Sequence, residues 1–439
     1  MKIPLYVDID GTLLKTNIAV ETAVSFLKEH PLHAFLLPLW FLRGLACAKR
    51  KIAERATFDP ATLPYREDFL TFLREERKTR DLILATGSDE LLGGKIAEHL
   101  KIFSDVLGSD GKSNLTGKRK LKAIREHAQG KPFAYAGNEE VDLVLWKAAD
   151  EAIVAGASAS LLKRAQRDAN VTHVFGDTHS KIRGVMDALR PYYWLKNLLL
   201  LTPLAVARVF STSLALDSVI AIVSFSFASS AIYLINDLLD LEADRRNSWK
   251  RFRPIASGRL TFRMTFLLIA LLLIASFVTA AFLPVTFSIV LIGYLVNAVL
   301  YSLFFKNIPF ADACFRAFFN VLRLLAGIAA TSIPIASPLL ASAGCFFLGS
   351  QCIKSFTERS ERSALVFGIT ASAVAIVLFA ASFIPPLLAT LAFLTLLILR
   401  MWMLTLKRSI KGDPIAHFLR DPVTLVLMLG TALAFFLGI

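Results

Sequence analysis

Beyond about residue 190 the chain runs almost entirely in long uncharged apolar stretches joined by short polar loops. About 20 such residues are what a helix needs to cross a bilayer. Backbone in hydrocarbon must satisfy its own hydrogen bonds, so residues 191–439 are expected to form an all-α polytopic membrane bundle. At that length per crossing, roughly nine spans are expected, near 194–210, 216–236, 264–283, 285–304, 312–333, 338–354, 364–383, 385–405 and 421–438. With 55% hydrophobic residues in 439 positions, the composition agrees.

A formal charge of +14 would suggest nucleic acid in a soluble protein. Here the cations collect in every second loop: Arg245, Arg246, Lys250, Arg251, Arg253 and Arg259; then Lys306; then Lys354, Arg359 and Arg362; then Lys407, Arg408, Lys411 and Arg420. The intervening loops carry almost no charge. This alternation is the positive-inside pattern and places the basic loops on the cytoplasmic face of the inner (cytoplasmic) membrane, with anionic lipid rather than nucleic acid as the partner. The four cysteines form no CxxC pair, so they read as packing residues.

Residues 1–175 have a different texture, with short apolar strands, turns and frequent charge. They open on a buried-strand pattern with no signal-peptide character, so this part is expected to remain cytoplasmic. Leu5-Tyr6-Val7 leads into Asp8-Ile9-Asp10-Gly11-Thr12. An apolar strand that delivers acids at its carboxyl end is characteristic of a parallel α/β sheet, where ligands bind beyond the strand ends. The run His33 to Ala48 is apolar but short, and it contains Pro38 and Arg43. It reads as part of a helical cap inserted over about 17–70, which either touches the bilayer surface or packs only on its own core. Residues 176–190 read as a linker or interfacial helix.

The second predicted span ends in Asn236-Asp237-Leu238-Leu239-Asp240-Leu241-Glu242-Ala243-Asp244. On a continuous helix Asp237, Asp240 and Asp244 fall within an arc of about 60°. Carboxylates crowded at membrane depth repel unless a cation joins them, and hard oxygen ligands beside phosphate suit Mg²⁺. A basic run follows, closing in Arg253-Pro254-Ile255-Ala256-Ser257-Gly258; arginine forks match phosphate oxygens, and small residues permit close approach.

This NDxxDxxxD…RPIASG pattern resembles the first signature of the UbiA prenyltransferase superfamily. The resemblance covers about residues 188–439 and implies a helical bundle around a cavity open to lipid, with Asp237 and Asp240 catalytic and Asp237, Asp240 and Asp244 holding Mg²⁺. Quinone-forming members carry a second aspartate-rich loop, where this chain has Lys354-Ser355-Phe356-Thr357-Glu358. Together with Lys196-Asn197, Tyr301, Lys306 and Arg323, that segment is similar to the decaprenyl-phosphate phosphoribosyltransferase branch. The resemblance then implies transfer of 5-phosphoribose from phosphoribosyl pyrophosphate to polyprenyl phosphate. Its implied substrate-binding residues are Lys196, Asn197, Asn236, Arg253, Tyr301, Lys306, Arg323, Lys354 and Glu358.

The DxDGT strand likewise resembles the first motif of the haloacid dehalogenase (HAD) superfamily over about residues 1–175, which implies a Rossmann-like domain. By that resemblance Asp8 is the nucleophile, Asp10 the general acid, Thr86 and Lys120 bind substrate phosphate, and Asp8, Asp10, Asn138 and Asp142 hold Mg²⁺. Asn138 stands where the usual motif has an acid, which weakens the metal site. An inactive regulatory domain therefore stays open beside a phosphatase that removes the sugar 5-phosphate. The expected whole is a bifunctional enzyme making a lipid-linked pentose donor for envelope glycans, with a homo-oligomer left open. The rival is prenyl transfer from a polyprenyl diphosphate to an aromatic acceptor.

Overall fold

The computed structural model describes residues 3–176, 181–209, 211–359, 362–381, 388–406 and 421–437. The chain divides into two compact units, Met1–Leu189 with Tyr233–Ile269, and Arg190–Ile232 with Ala270–Ile439. The segment 233–269, which carries both the acidic cluster and the RPIASG turn, thus belongs with the N-terminal unit.

In the first unit, six parallel strands form one sheet: β1 (Leu5–Val7), β2 (Leu82–Asp89), β3 (Asp105–Ser109), β4 (Ala134–Gly137), β5 (Glu151–Ala155) and β6 (Val171–Phe175), in the order β3-β2-β1-β4-β5-β6. Side chains alternate between two cores because the strand period is two. Leu5, Val7, Leu82, Leu84, Ala134 and Ala136 enter one apolar cluster, and Tyr6, Ile83, Ala85 and Tyr135 enter the other. Both faces of β1, β2, β4 and β5 are covered, so these strands read as mostly apolar runs. Strand order reverses beside β1, between β2 and β4, which opens a crevice at their carboxyl ends. Asp8 and Asn138 follow the ends of β1 and β4 there.

Between β1 and β2 lie α1 (Ile18–Glu29), α2 (Leu37–Leu42), α3 (Leu45–Ala53) and α4 (Glu67–Glu76). Asn17 starts α1 by accepting the Val20 amide through its side chain at 3.0 Å. The cap has its own small core of Phe26, Trp40, Ala48, Ile52 and Ala56. After β2 come α5 (Glu90–Leu100), α6 (Lys118–His127), α7 (Leu143–Ala148), α8 (Ala159–Asp168) and α9 (Lys181–Leu189).

The remaining helices are α10 (Thr202–Ala207), α11 (Thr212–Leu239), α12 (Leu241–Arg246), α13 (Phe262–Ala280), α14 (Val285–Leu300), α15 (Pro309–Thr331), α16 (Ser337–Arg359), α17 (Arg362–Ala381), α18 (Leu388–Leu406) and α19 (Pro422–Leu437). Seven are long and apolar enough to cross a membrane among the described residues, from Thr212–Leu239 to Ala389–Leu406. The expected span at 194–210 is instead a 3₁₀ segment, Pro191–Leu201, followed by the short α10. Pro191 and Pro203 lack the amide that a continuous helix needs. Over 421–438 the described helix is shorter than a full crossing. The basic loop 407–420 lies outside the described residues.

Within the second unit, polar side chains tie apolar helices together. Ser224 and Ser276 each donate to the other's carbonyl at 2.9 Å. Trp402 donates to Ser372 at 3.0 Å, and Gly327 lies so close to the Leu200 carbonyl that a Cβ would sit 2.4 Å from it. Small residues and interhelical hydrogen bonds are the usual means of joining helices where lipid offers no hydrophobic contrast.

Candidate functional site

Two acidic sites are built within the first unit. At the end of β1, Asp8 is buried and its Oδ1 accepts from Lys120 Nζ at 2.7 Å. Asp10 accepts from Ser88 Oγ at 2.6 Å and from the Ile18 amide at 2.6 Å. Burial pushes the Asp8 carboxyl up to about 7 against the pull of Lys120. It also raises Asp10, despite the hydrogen bond from Ser88. Burial works against the Lys120 charge, but Asp8 and Asp142 outweigh it and hold that ammonium above its ordinary value. Lys118, two residues earlier, is exposed on the surface, so Lys120 is the lysine that reaches the acids.

Thr86, expected as the hydroxyl of this site, is fully buried and accepts the Ser88 amide at 3.0 Å. The hydroxyl on Asp10 belongs to Ser88, because β2 continues past Thr86 to Asp89 and carries the chain two residues further along the crevice. Lys49 enters from α3, donating to the Gly87 carbonyl at 2.7 Å and to Asn114 at 2.9 Å. Burial lowers its pKa against the attraction of Asp10. Asn138 accepts from Thr12 at 3.1 Å. Asp142, expected as a metal ligand, takes Tyr135 OH on one oxygen at 2.8 Å and the Asn138 and Glu139 amides on the other at 2.9 Å. It shapes the turn after β4.

The second site is an elbow after α11. Asp237 and Asp244 are buried and share the Arg253 guanidinium, whose Nη1 donates to them at 3.0 and 2.6 Å. Burial disfavours the Arg253 charge, but Asp237, Asp244 and Asp240 outweigh it and raise its pKa. The three carboxylates were expected on one helical face. The helix breaks at Asp240, which serves as the N-cap of α12 with φ −98° and ψ 8°, so the angular count fails there. Asp240 approaches Lys28 at 3.6 Å. Among the described residues, no three acidic, histidine or cysteine side chains form a preassembled metal cluster. Asn236 is half-buried one residue before Asp237.

The elbow is folded by its own basic run. Arg245 Nε donates to the Ala256 carbonyl at 2.9 Å, and Ser257 caps the turn through the Arg253 carbonyl at 2.8 Å. Gly258 has φ +74°, and a Cβ there would lie 2.6 Å from the Lys15 Cβ; only glycine suits both demands.

The sequence pattern of the UbiA prenyltransferase family matches residues 198–356. That segment, rather more than a third of the chain, is a UbiA prenyltransferase family domain. The uncharacterized protein y4nM of Sinorhizobium fredii is 31% identical over 361 residues, 81% of this chain and 70% of that one. A decaprenyl-phosphate phosphoribosyltransferase of Mycolicibacterium smegmatis is 36% identical over 165 residues, 36% of this chain. The chain spans about half of that relative, 52%. A solved UbiA homolog from Archaeoglobus fulgidus, bound to GPP and Mg²⁺, covers 58% of this chain and 98% of its own at 20% identity, with a TM-score of 0.47.

The second unit, which holds most of the UbiA-family segment, places the other expected residues individually. Arg323 is buried and heavily engaged, donating to Asn197 at 2.9 Å, Tyr294 OH at 3.0 Å, the Phe319 carbonyl at 3.0 Å and Asn320 at 3.3 Å. Asn197 in turn donates to Ser226 at 3.0 Å. Two residues expected to bind substrate are thus brought together, but onto each other. A charge inside an apolar helix has to be satisfied by neighbours, and here protein groups do it. Tyr301 opens a π-helical turn, Tyr301–Phe305, and donates to Asp312 at 2.9 Å, which also pairs with Arg316 at 2.6 Å. Lys306 ends that turn and is half-buried, as is Lys354 on α16. Lys196 is exposed, with its ammonium 4.8 Å from the Tyr193 ring centre. The side chain of Glu358 lies outside the described residues. Ser88 and Lys49 escaped the sequence reading; a serine two positions past Thr86 and a basic cluster in the cap were the available signals.

Proposed function

We propose that the chain is a membrane phosphoribosyltransferase that moves 5-phosphoribose from phosphoribosyl pyrophosphate to polyprenyl phosphate, with a fused HAD-type phosphatase domain that removes the 5-phosphate. The observation that carries the transferase reading is Arg253 clasped by Asp237 and Asp244, two buried carboxylates at the mouth of an apolar helix. Acids with an adjoining guanidinium suit a metal diphosphate, in which the acids meet the cation and the arginine fork meets phosphate oxygens. Two buried carboxylates sharing one arginine fit a divalent cation, which Asp237, Asp240 and Asp244 would hold. That ion, Mg²⁺ in this reading, would neutralise the departing pyrophosphate. Arg253 is poised to release a carboxylate and take up phosphate charge. Partial similarity to phosphoribosyltransferases supports this substrate pair over an aromatic acceptor.

In the N-terminal pocket Asp8 is the proposed nucleophile. Lys120 orients it and holds negative charge on the phosphate, and Asp10, steadied by Ser88 and the Ile18 amide, gives a proton to the leaving alcohol. Asp8, Asp10 and the Asn138 carbonyl would hold the metal, a weaker set than three acids. Orientation follows the basic loops, with both sites on the cytoplasmic side of the inner membrane.

The test uses purified full chain with Mg²⁺, polyprenyl phosphate and labelled phosphoribosyl pyrophosphate. Label should enter the lipid phase. Asp237→Ala should abolish it, whereas Asp8→Asn should leave it intact and accumulate the phosphorylated lipid. Absence of lipid label together with prenyl transfer to an aromatic acid would overturn the reading.

A further inference from the structure

The acidic pocket of the first unit is two-sided. A cavity of about 430 Å³ has Asp8, Asp10, Lys49 and Lys120 at its base, while Val20, Phe41 and Leu45 from the cap form an apolar wall. A soluble sugar phosphate has no use for such a wall. The wall is also one edge of a larger apolar surface. Leu32, Phe35 and Leu42 expose 73%, 81% and 83% of their area, and Leu39, Phe41 and Leu45 are exposed beside them. Pro31–Leu42 is an apolar helical stretch too short to span a bilayer.

Trp40 turns inward to the cap's core, so this segment has one satisfied face and one bare face. Exposed apolar clusters of this kind mark an interaction surface. Arg43, exposed at the end of α2, and Lys51 and Arg55 on and just beyond α3 add cationic charge beside it. Apolar anchors flanked by Lys and Arg are the make-up of helices that lie in the headgroup region of anionic membranes.

The rim of the cavity supplies an independent marker of depth. Arg263 lines it and pairs with Glu139 at 3.5 Å. Arg263 also stands in the first turn of α13, which is long and apolar enough to cross a membrane. The pocket mouth therefore lies beside the first turn of that helix.

We propose that the Pro31–Leu45 face of the cap inserts into the bilayer surface, and that the pocket takes the phosphate end of a lipid-linked phosphomonoester delivered along the Phe41–Leu45 wall. The substrate half of this inference rests on the phosphatase reading; the bilayer contact does not.

Two measurements on the full chain in nanodiscs of phosphatidylethanolamine and phosphatidylglycerol test the two halves separately. Photoreactive benzoylphenylalanine placed at Leu42 should yield lipid adducts on illumination, while the same probe at the exposed Lys163 of α8 should not. Protein-only adducts of doubled mass, or none at Leu42, would overturn the bilayer contact. The triple variant Leu32→Ser, Phe35→Ser, Leu42→Ser should cleave p-nitrophenyl phosphate as the parent does, but lose at least about tenfold in kcat/KM on the phosphorylated lipid in nanodiscs. Equal loss on both substrates, or loss on neither, would overturn delivery through the cap. A parent protein that cleaves neither substrate refutes the phosphatase reading itself, and with it the substrate half, while the adduct pattern still decides the membrane contact.

Discussion

Glu21, on the first cap helix, and Arg245, at the end of the acidic elbow, form a buried two-point ion pair. Glu21 also accepts from Thr16 at 3.2 Å, five residues after Gly11 of the DxDGT loop. Arg245 reaches on to the Ala256 carbonyl in the RPIASG turn. The sheet-and-cap fold and the elbow that follows α11 are thereby one compact body, and the loop of one proposed site leans on the loop of the other.

Removing either partner of that pair strands a charge out of water. Glu21→Ala or Arg245→Ala should each destabilise the first unit by about 3 kcal/mol, the cost typical of a broken buried pair. Thermal unfolding of the detergent-solubilised chain measures it. The double variant should cost less than the sum of the two single changes, and additive losses would mean that the two residues do not interact.

Arg253 holds its place through one nitrogen shared by two carboxylates. Arg253→Lys keeps the charge but loses the planar fork. We expect expression and unfolding temperature to change little and kcat/KM for phosphoribosyl pyrophosphate to fall about 10- to 100-fold. Unaltered kinetics would remove Arg253 from the site.

Ser88 and Thr86 make opposite predictions. Ser88→Ala removes the hydroxyl on Asp10 and should lower phosphatase turnover by about tenfold or more, with a displaced pH profile. Thr86→Ala removes a buried acceptor for a backbone amide and should cost about 1 kcal/mol of stability, with turnover largely kept. Steady-state kinetics of both variants decides between them.

The Asp8 carboxyl sits well above its ordinary value because burial disfavours its charge. An acid with a raised folded-state pKa binds its proton more tightly in the folded chain. Its unfavourable contribution is absent below the ordinary aspartate value, grows as pH rises, and levels off above about 7. In metal-free buffer the unfolding temperature of the parent should therefore fall relative to that of Asp8→Asn between about pH 4 and 7. A constant difference across that range would contradict it.

Gly258 tests the fit of the RPIASG turn against Lys15. Gly258→Ala combines a positive φ with a Cβ 2.9 Å from the Lys15 carbonyl, and should cost more than about 1 kcal/mol. A neutral result by calorimetry would show that the turn is not held there.

What the residues announced by themselves was local or periodic. Continuous apolar runs at Leu5–Val7 and Leu82–Leu84 specified strands covered on both faces, and long uncharged stretches specified membrane helices, because both depend only on spacing and transfer to an apolar medium. The acid motifs were legible for the same reason. Tertiary structure alone decided which side chains meet. It broke the helix at Asp240 and clasped Asp237 and Asp244 on Arg253. It set Ser88 on Asp10, turned Arg323 onto Asn197, and assigned the elbow at 233–269 to the N-terminal unit. Those outcomes depend on helix termini, burial and partners far apart in the chain, and a spacing rule carries no information about any of them.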